Sequence, residues 1–167
     1  MTQSRHHPME QPVKVLFVCF GNACRSQMAE ALANHHGRDS VQAFSAGAHP
    51  LGWIPSETHD VLEEKGISHE GHRSKGLKDV PLSDMDVVVE MEAGVAGTLP
   101  EKFKGRLIEW DTPDPFSGDV EAFREVRDLI EEQVNDLLAD LRQSRSNPPR
   151  ELPDQAGLGR RRGARRE

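Results

Sequence analysis

One eight-residue stretch of the sequence combines the residue types needed to bind and attack an oxyanion. Cys19 begins the stretch, Gly21 and Asn22 follow, and Arg25 and Ser26 close it. Gly and Asn tolerate a positive φ angle, which lets backbone N–H groups converge on a bound anion. Arg25 can add a bidentate guanidinium, and Ser26 can donate a hydrogen bond to the sulfur. The stretch therefore predicts a cradle for a tetrahedral dianion such as phosphate, arsenate or sulfate, with Cys19 as an in-line nucleophile.

The elements on either side of this stretch would position it. Residues 14–18 form a short apolar, β-branched run that is typical of a buried strand. Ser26 occupies the position of an N-cap, residues 27–36 predict a helix, and Gly37 ends it. The N-terminus of a helix carries free N–H groups and partial positive charge, which bind an anion and stabilise a thiolate. We therefore expect a strand, an anion-binding loop and a helix in succession.

Strands and helices alternate along the rest of the chain. Further strands are predicted at 41–46, 86–90 and 106–109, and further helices at 56–65 and 120–141. The last helix shows apolar residues at steps of three and four, as an amphipathic helix does. This alternation predicts an α/β domain, a three-layer αβα arrangement with a four-stranded parallel sheet and helices on both faces.

The formal charge of −7 is unevenly distributed. Residues 144–167 carry seven Arg against three acidic residues, a net charge of +4, and the body at 12–143 carries −11. Such an acidic body argues against a nucleic-acid partner. No apolar run approaches a membrane span or a secretory signal, so we expect no membrane partner and a cytoplasmic location. We also expect one catalytic domain at 12–143 between two disordered segments, 1–11 and the Arg-rich tail 144–167.

Cys19 and Cys24 are the two cysteines of the chain. A zinc site would combine them with His35 and His36, but that spacing fits no common zinc module, so we predict no metal and no cofactor. The nucleotide-binding P-loop is excluded because no Gly-Lys-Ser/Thr follows the loop. Packing at a strand end accounts for Cys24 better than for Cys19, which lies between strand and helix.

Five segments extend the pattern over most of the body: VLFVCFGNACRSQMAEA at 15–31, SAG at 45–47, GISHEGHRS at 66–74, DVVVEM at 86–91 and WDTPDPF at 110–116. On these motifs the chain over 13–141 resembles the low-molecular-weight protein tyrosine phosphatases and the related thioredoxin-type arsenate reductases. The resemblance implies the low-molecular-weight phosphatase fold. It also implies an enzyme whose substrate is a phosphate-type oxyanion.

The resemblance assigns roles to individual residues. It implies that Cys19 is the nucleophile, that Arg25 clamps the oxyanion, and that Asp114 is the general acid and then the base. Asp111 is a competing carboxylate that matches the family's acid less well. The phosphate-binding loop would comprise Phe20, Gly21, Asn22, Ala23, Cys24, Arg25 and Ser26.

Three further residues have implied supporting or regulatory roles. Ser45 and His72 match residues that hydrogen-bond Asn22 and hold its strained backbone. Cys24 matches a cysteine that pairs reversibly with the nucleophile, and a disulfide across so tight a loop would switch activity off.

The chain departs from the family pattern at two places. It has no Tyr, so Phe116 and Ser117 occupy positions where phosphatases of this family carry aromatics, and Trp53 would stand near the mouth. It also lacks the two further cysteines that arsenate reductases of this kind carry after the third strand. An arsenate reductase built on this chain would therefore need an external thiol, from a small thiol or a glutaredoxin- or thioredoxin-like partner.

The resulting functional hypothesis is a phosphomonoester hydrolase that acts on aryl phosphates or protein phosphotyrosine through a cysteinyl-phosphate intermediate. An arsenate reductase that uses an external thiol is the first alternative. An oxyanion-binding regulatory protein is the second.

Overall fold

A computed structural model of the protein describes residues 11–99, 103 and 105–147. Four parallel strands form one sheet in the order β2-β1-β3-β4, as the alternating pattern predicted. Because β1 pairs with β2 on one side and β3 on the other, its carboxyl end lies in the middle of the sheet edge. The strands are β1 at Val13–Cys19, β2 at Val41–Gly47, β3 at Val87–Glu90 and β4 at Arg106–Glu109.

Successive side chains of β1 point to opposite faces of the sheet and fill two cores. Val15 and Phe17 pack with the three α-helices on one face, whereas Leu16 and Val18 belong to the core of the other face. That second face is covered by segments that contain short 3-10 helices, at Leu77–Asp79, Leu82–Asp84 and Val95–Thr98. The predicted three-layer αβα architecture is confirmed. The α-helices are α1 at Arg25–Gly37, α2 at Ser56–Glu63 and α3 at Val120–Ser146.

The start of α1 differs from the prediction. The helix begins at Arg25 with Cys24 as its cap residue, so Ser26 is not the N-cap. The reason is that the Ser26 hydroxyl contacts the Cys19 sulfur and the Asn22 side chain instead of a backbone N–H of the first turn. The N-cap prediction for Ser26 is therefore wrong, whereas the predicted contact of its hydroxyl with the Cys19 sulfur is present.

The ends of α2 and α3 also differ from the predictions. The helix α2 ends at Glu63, two residues early, because the chain turns there and Gly66 adopts a φ of +67°. The helix α3 continues through Ser146, past the predicted end at 141 and past the predicted start of the tail at 144. Its last turn holds no Gly or Pro before Pro148, and the Arg145 guanidinium bonds the Gln11 carbonyl. Residues 1–10 and 148–167, which we predicted to be disordered, lie outside the described residues.

Arg127 ties α3 to the end of α2. Its Nη1 donates to the Val61 carbonyl at 2.8 Å and to Glu64 Oε2 at 2.6 Å, and the side chain is buried. Arg124, one turn earlier and only half-buried, also bonds the Glu64 carboxylate. Hydrogen bonds from Arg124 and Arg127 hold the pKa of Glu64 below its usual range.

Among the described helices, none has the length and apolar character required to cross a bilayer.

We expect Arg127→Met to lower the free energy of unfolding by about 2 kcal/mol, because it leaves the buried Val61 carbonyl without its charged donor. The matched variant Arg124→Met removes a solvent-accessible ion pair to the same carboxylate and should cost clearly less than Arg127→Met, because such pairs contribute little. Urea denaturation of both variants measures the difference. Equal losses would contradict the assigned role of Arg127.

Candidate active site

The chain passes from the end of β1 to the start of α1 through residues 19–26. Asn22 lies in the left-handed region with a φ of +48°, a conformation that Asn tolerates better than most residues. Gly47, the last residue of β2, lies against this loop, since a Cβ there would come within 2.7 Å of the Phe20 carbonyl oxygen. The Gly of the SAG motif is therefore required, because any side chain at position 47 would clash with the backbone of the loop.

A chain of hydrogen bonds connects Asn22 to the sulfur of Cys19. Asn22 Nδ2 donates to Ser26 Oγ at 2.8 Å, and Ser26 Oγ lies 2.9 Å from Cys19 Sγ. Because the Ser26 oxygen accepts from the amide, its own proton can be directed at the sulfur. The sulfur of Cys19 is buried and lines the cavity.

The Arg25 guanidinium is held by acceptors from two other elements. Nη1 donates to the carbonyls of Met91 and Thr112, both at 3.2 Å, and Nη2 donates to Glu92 Oε2 at 2.9 Å. No acceptor among the described residues takes the Nε–H. The edge of the fork that includes Nε can therefore present parallel N–H groups to an oxyanion.

The structure distinguishes the two candidate carboxylates. Asp114 Oδ2 lies 3.6 Å from Arg25 Nη2, and Asp114 lines the same cavity as Cys19. Its Oδ1 accepts from the Phe116 backbone N–H at 3.0 Å, which fixes the turn on which it sits. Asp111 instead lines a neighbouring cavity beside Glu109 and Trp110. Asp114 is thus the carboxylate brought to the sulfur.

Gln27, which the sequence analysis did not single out, is the residue that holds Asn22. Its Nε2 donates to Asn22 Oδ1 at 2.9 Å and to the Asn22 carbonyl at 3.2 Å, and the side chain is fully buried. The backbone N–H of Lys75 also donates to Asn22 Oδ1 at 2.9 Å. The sequence feature that could have pointed to Gln27 is its polar amide in the first turn of α1, directly before the buried apolar residues Met28 and Ala29.

The direct contacts expected for Ser45 and His72 are not formed: within the described part of the chain, neither hydrogen-bonds Asn22. Ser45 donates to Glu30 Oε2 at 2.9 Å and accepts from Lys75 Nζ at 3.2 Å. His72 Nδ1 lies 3.2 Å from Gln27 Oε1 and from Glu30 Oε2. The reason is that Gln27 occupies the side of Asn22 that they would need. His72 therefore supports the loop through Gln27, and Ser45 lies one step further out.

Histidine side chains form the outer part of this network. His69 Nε2 lies 3.1 Å from Gln27 Oε1, and its Nδ1 lies 2.6 Å from His59 Nδ1. Burial, with the charges of His72, His59 and Lys75, lowers the pKa of His69 to about 3, so the ring is neutral. Because Gln27 Oε1 only accepts, the hydrogen-bond pattern assigns the His69 proton to Nε2 and makes Nδ1 an acceptor for His59.

The second cysteine is a buried thiol. Burial raises the pKa of Cys24 to about 12, so it is protonated at neutral pH. Both cysteines are free in the structure. The zinc alternative fails on geometry, because α1 separates Cys24 at its start from His35 and His36 in its last turn, about 15 Å along the axis.

Apolar side chains surround the mouth of the cavity. Phe20, Leu51 and Phe116 line it, and each of them is exposed. Trp53, 54% exposed, packs against Phe116 with ring centroids 6.0 Å apart and lines an adjoining cavity, so it touches the rim through Phe116. A charged floor with an apolar rim suits a phosphoryl group that is attached to an aromatic ring.

The fold and the site together define a class of protein. The strand β1 of a parallel α/β sheet ends in a cysteine, and the helix that follows the next loop begins with an arginine that lines the same cavity. This is the arrangement of a cysteine-dependent enzyme for phosphate-type oxyanions. The chain belongs to the family described as low molecular weight phosphotyrosine protein phosphatase, which matches residues 14–147. The predicted superfamily and fold are therefore confirmed.

Relatives of three activities resemble this chain to a similar degree. The glutaredoxin arsenate reductase of Synechocystis sp. is 34% identical over 130 residues, which cover 77% of this chain and 98% of that protein. The low molecular weight protein-tyrosine-phosphatase YfkJ of Bacillus subtilis is 31% identical, covering 80% and 98%. The structure of the YwlE arginine phosphatase from Geobacillus stearothermophilus gives a TM-score of 0.72 at 31% identity, covering 81% and 96%. Overall similarity therefore does not select one substrate.

We expect stability to fall in acid because of His69. The unfolded imidazole takes up a proton below pH 6.5, whereas the folded one resists protonation down to about pH 3. The free energy of unfolding should therefore fall as the pH decreases through this window, by about 2 kcal/mol between neutral pH and pH 5 from this residue. His69→Gln keeps a donor to Gln27 and cannot titrate, so it should lose that part of the dependence.

Urea denaturation at a series of pH values measures this effect. The same substitution at the exposed His49 is the control and should leave the dependence unchanged. A pH dependence of His69→Gln identical to that of the unsubstituted protein would refute the assignment.

Proposed function

We propose that the protein hydrolyses aryl phosphomonoesters, protein phosphotyrosine among them, through a cysteinyl-phosphate intermediate on Cys19. The observation that carries the proposal is one cavity lined by Cys19, Arg25 and Asp114. A nucleophile, an oxyanion clamp and a proton donor within one cavity are the parts that phosphoryl transfer to a thiolate requires.

The two chemical steps follow from these positions. The Cys19 thiolate attacks phosphorus, an S–P bond forms, and the P–O bond to the leaving group breaks as Asp114 gives that oxygen its proton. Asp114, now a carboxylate, then takes a proton from a water that attacks the phosphocysteine. The S–P bond breaks, the thiolate is restored, and inorganic phosphate leaves. Arg25 and the backbone N–H groups of residues 20–26 stabilise the equatorial oxygens in both steps.

The rim of the cavity supports an aromatic leaving group. Phe20 and Phe116 are 48% and 43% exposed, which leaves their rings available to a phenyl ring that enters between them. The absence of Tyr therefore does not remove aromatic contacts from the mouth. In a protein substrate, phosphotyrosine carries its phosphoryl group far enough from the backbone to reach Cys19.

Arsenate reduction is the second candidate, favoured by the relative from Synechocystis sp.. It needs a thiolate to resolve a Cys19–arsenic adduct. Cys24, the other cysteine of the chain, is a poor resolver, because burial raises its pKa to about 12 and keeps it a thiol. The reaction would therefore need a glutaredoxin, a thioredoxin or a small thiol as partner. Two free cysteines are in keeping with the reducing, cytoplasmic location that we propose.

We expect Cys19→Ser to abolish turnover of an aryl phosphate, and Asp114→Asn to lower kcat about a hundredfold with little change in fold. The first variant loses the nucleophile and the second loses the proton donor. Asp111→Asn is the matched control, because that side chain lies in the neighbouring cavity, and it should retain near-normal turnover. Steady-state kinetics with a chromogenic aryl phosphate provide the measurement.

Parallel assays separate the alternatives. The unsubstituted protein is incubated with arsenate and thiol, with and without a glutaredoxin or thioredoxin system. Thiol-dependent arsenate loss without aryl phosphate turnover would favour the reductase and contradict the hydrolase. Phosphate binding without either reaction would favour an oxyanion-binding regulatory protein.

A further inference from the structure

A second carboxylate, that of Glu92, lines the active-site cavity. Glu92 follows Met91 directly after β3, and it lines the cavity together with Cys19 and Arg25. Its Oε2 accepts from Arg25 Nη2 at 2.9 Å and from the Phe20 backbone N–H at 3.1 Å. The side chain is 38% exposed, so it faces the open space of the cavity and not the protein interior.

The two donors that Glu92 engages are donors that the loop offers to an oxyanion. The Phe20 N–H is the first backbone donor after the nucleophile, and Arg25 is the clamp. A carboxylate oxygen and a phosphate oxygen use such donors in the same way. Glu92 therefore occupies two hydrogen-bonding positions that a bound phosphoryl group would use.

Glu92 is not needed to orient the guanidinium. Nη1 of Arg25 is held by the carbonyls of Met91 and Thr112, which come from two different segments. Arg25 is also buried, with an exposed fraction of 6%, so its surroundings restrict the side chain as well. The contribution specific to Glu92 is consequently its negative charge next to the oxyanion site.

We propose that Glu92 is an internal competitor of the oxyanion and sets how weakly the site holds inorganic phosphate. When a phosphoryl group binds, the Glu92 carboxylate gives up Arg25 Nη2 and the Phe20 N–H and remains close as a like charge. When the group leaves as phosphate, the carboxylate takes the two donors back. This proposal rests on the proposed function, in which phosphate is the product that must leave the cradle.

The direction of the effect follows from electrostatics. A carboxylate within a few ångströms of a dianion raises the free energy of the bound state, and a partly buried site screens this repulsion only in part. Removing the charge while keeping the shape should therefore tighten phosphate binding, on the order of tenfold. A residue that only positioned Arg25 would have the opposite effect, because its loss would loosen the clamp.

The test is Glu92→Gln in the full chain, titrated calorimetrically with inorganic phosphate. We expect the Kd for phosphate to fall about tenfold, and the inhibition constant of phosphate against an aryl phosphate to fall by the same factor. Glu109→Gln is the matched control: the same substitution on the next strand, in the neighbouring cavity that Glu92 also lines. It should change the phosphate Kd less than twofold.

An unchanged or higher phosphate Kd in a folded Glu92→Gln protein would overturn the proposal. Equal tightening in Glu109→Gln would overturn it as well, because the effect would then be general charge and not competition for the two donors. Glu92→Ala, which removes charge and acceptor together, serves in place of Glu92→Gln if the latter does not fold. The calorimetric reading needs no turnover, so loss of the proposed hydrolase activity and loss of this proposal remain separate results.

Discussion

The left-handed backbone at Asn22 is the constraint on which the active-site loop depends. The loop between Cys19 and Arg25 turns at that residue, and its φ of +48° is unfavourable for a residue with a side chain. Buried hydrogen bonds maintain it: Gln27 and the Lys75 N–H hold Asn22 Oδ1, and Asn22 Nδ2 in turn holds Ser26. The same amide group thus fixes the backbone and directs the Ser26 hydroxyl at the Cys19 sulfur.

The catalytic body is acidic overall, yet its oxyanion site can be positive because the positive potential is confined to the loop at residues 19–26. The body at 12–143 carries a net charge of −11, yet the cradle consists of backbone N–H groups, the start of α1 and one guanidinium held by two carbonyls. Long-range attraction is therefore weak and short-range donors dominate. Glu92 and Asp114 bring negative charge to the same arginine, which suits a site that must release phosphate as well as capture it.

A buried polar network supports the loop from the side opposite to the substrate. Gln27 joins Asn22 to His69 and His72, and Glu30 joins His72 to Ser45 and Lys75. Low local dielectric strengthens each of these bonds, and it also makes any unpaired member costly. The neutral state of His69 is part of that arrangement, because a proton there would be placed among His59, His72 and Lys75. Support of the loop is therefore linked to the protonation of a residue that does not touch the substrate.

The sequence by itself predicted the order of strands and helices, the parallel sheet, and the residues of the loop that joins β1 to α1. These follow from local patterns: a β-branched run, a Gly-Asn turn and a helix with apolar periodicity. It did not indicate which residue holds Asn22 or that Glu92 reaches Arg25 and Phe20, and it left open whether Ser26 caps the helix or contacts the sulfur. The Glu92 contacts join residues that are 67 and 72 positions apart in the chain, so no local pattern encodes them. Gln27 and Ser26 lie within seven positions of their partners, and their contacts depend on how the folded loop directs their side chains. Only the packing of β1 between β2 and β3 brings their ends to one edge, and that packing decided the surroundings of the sulfur.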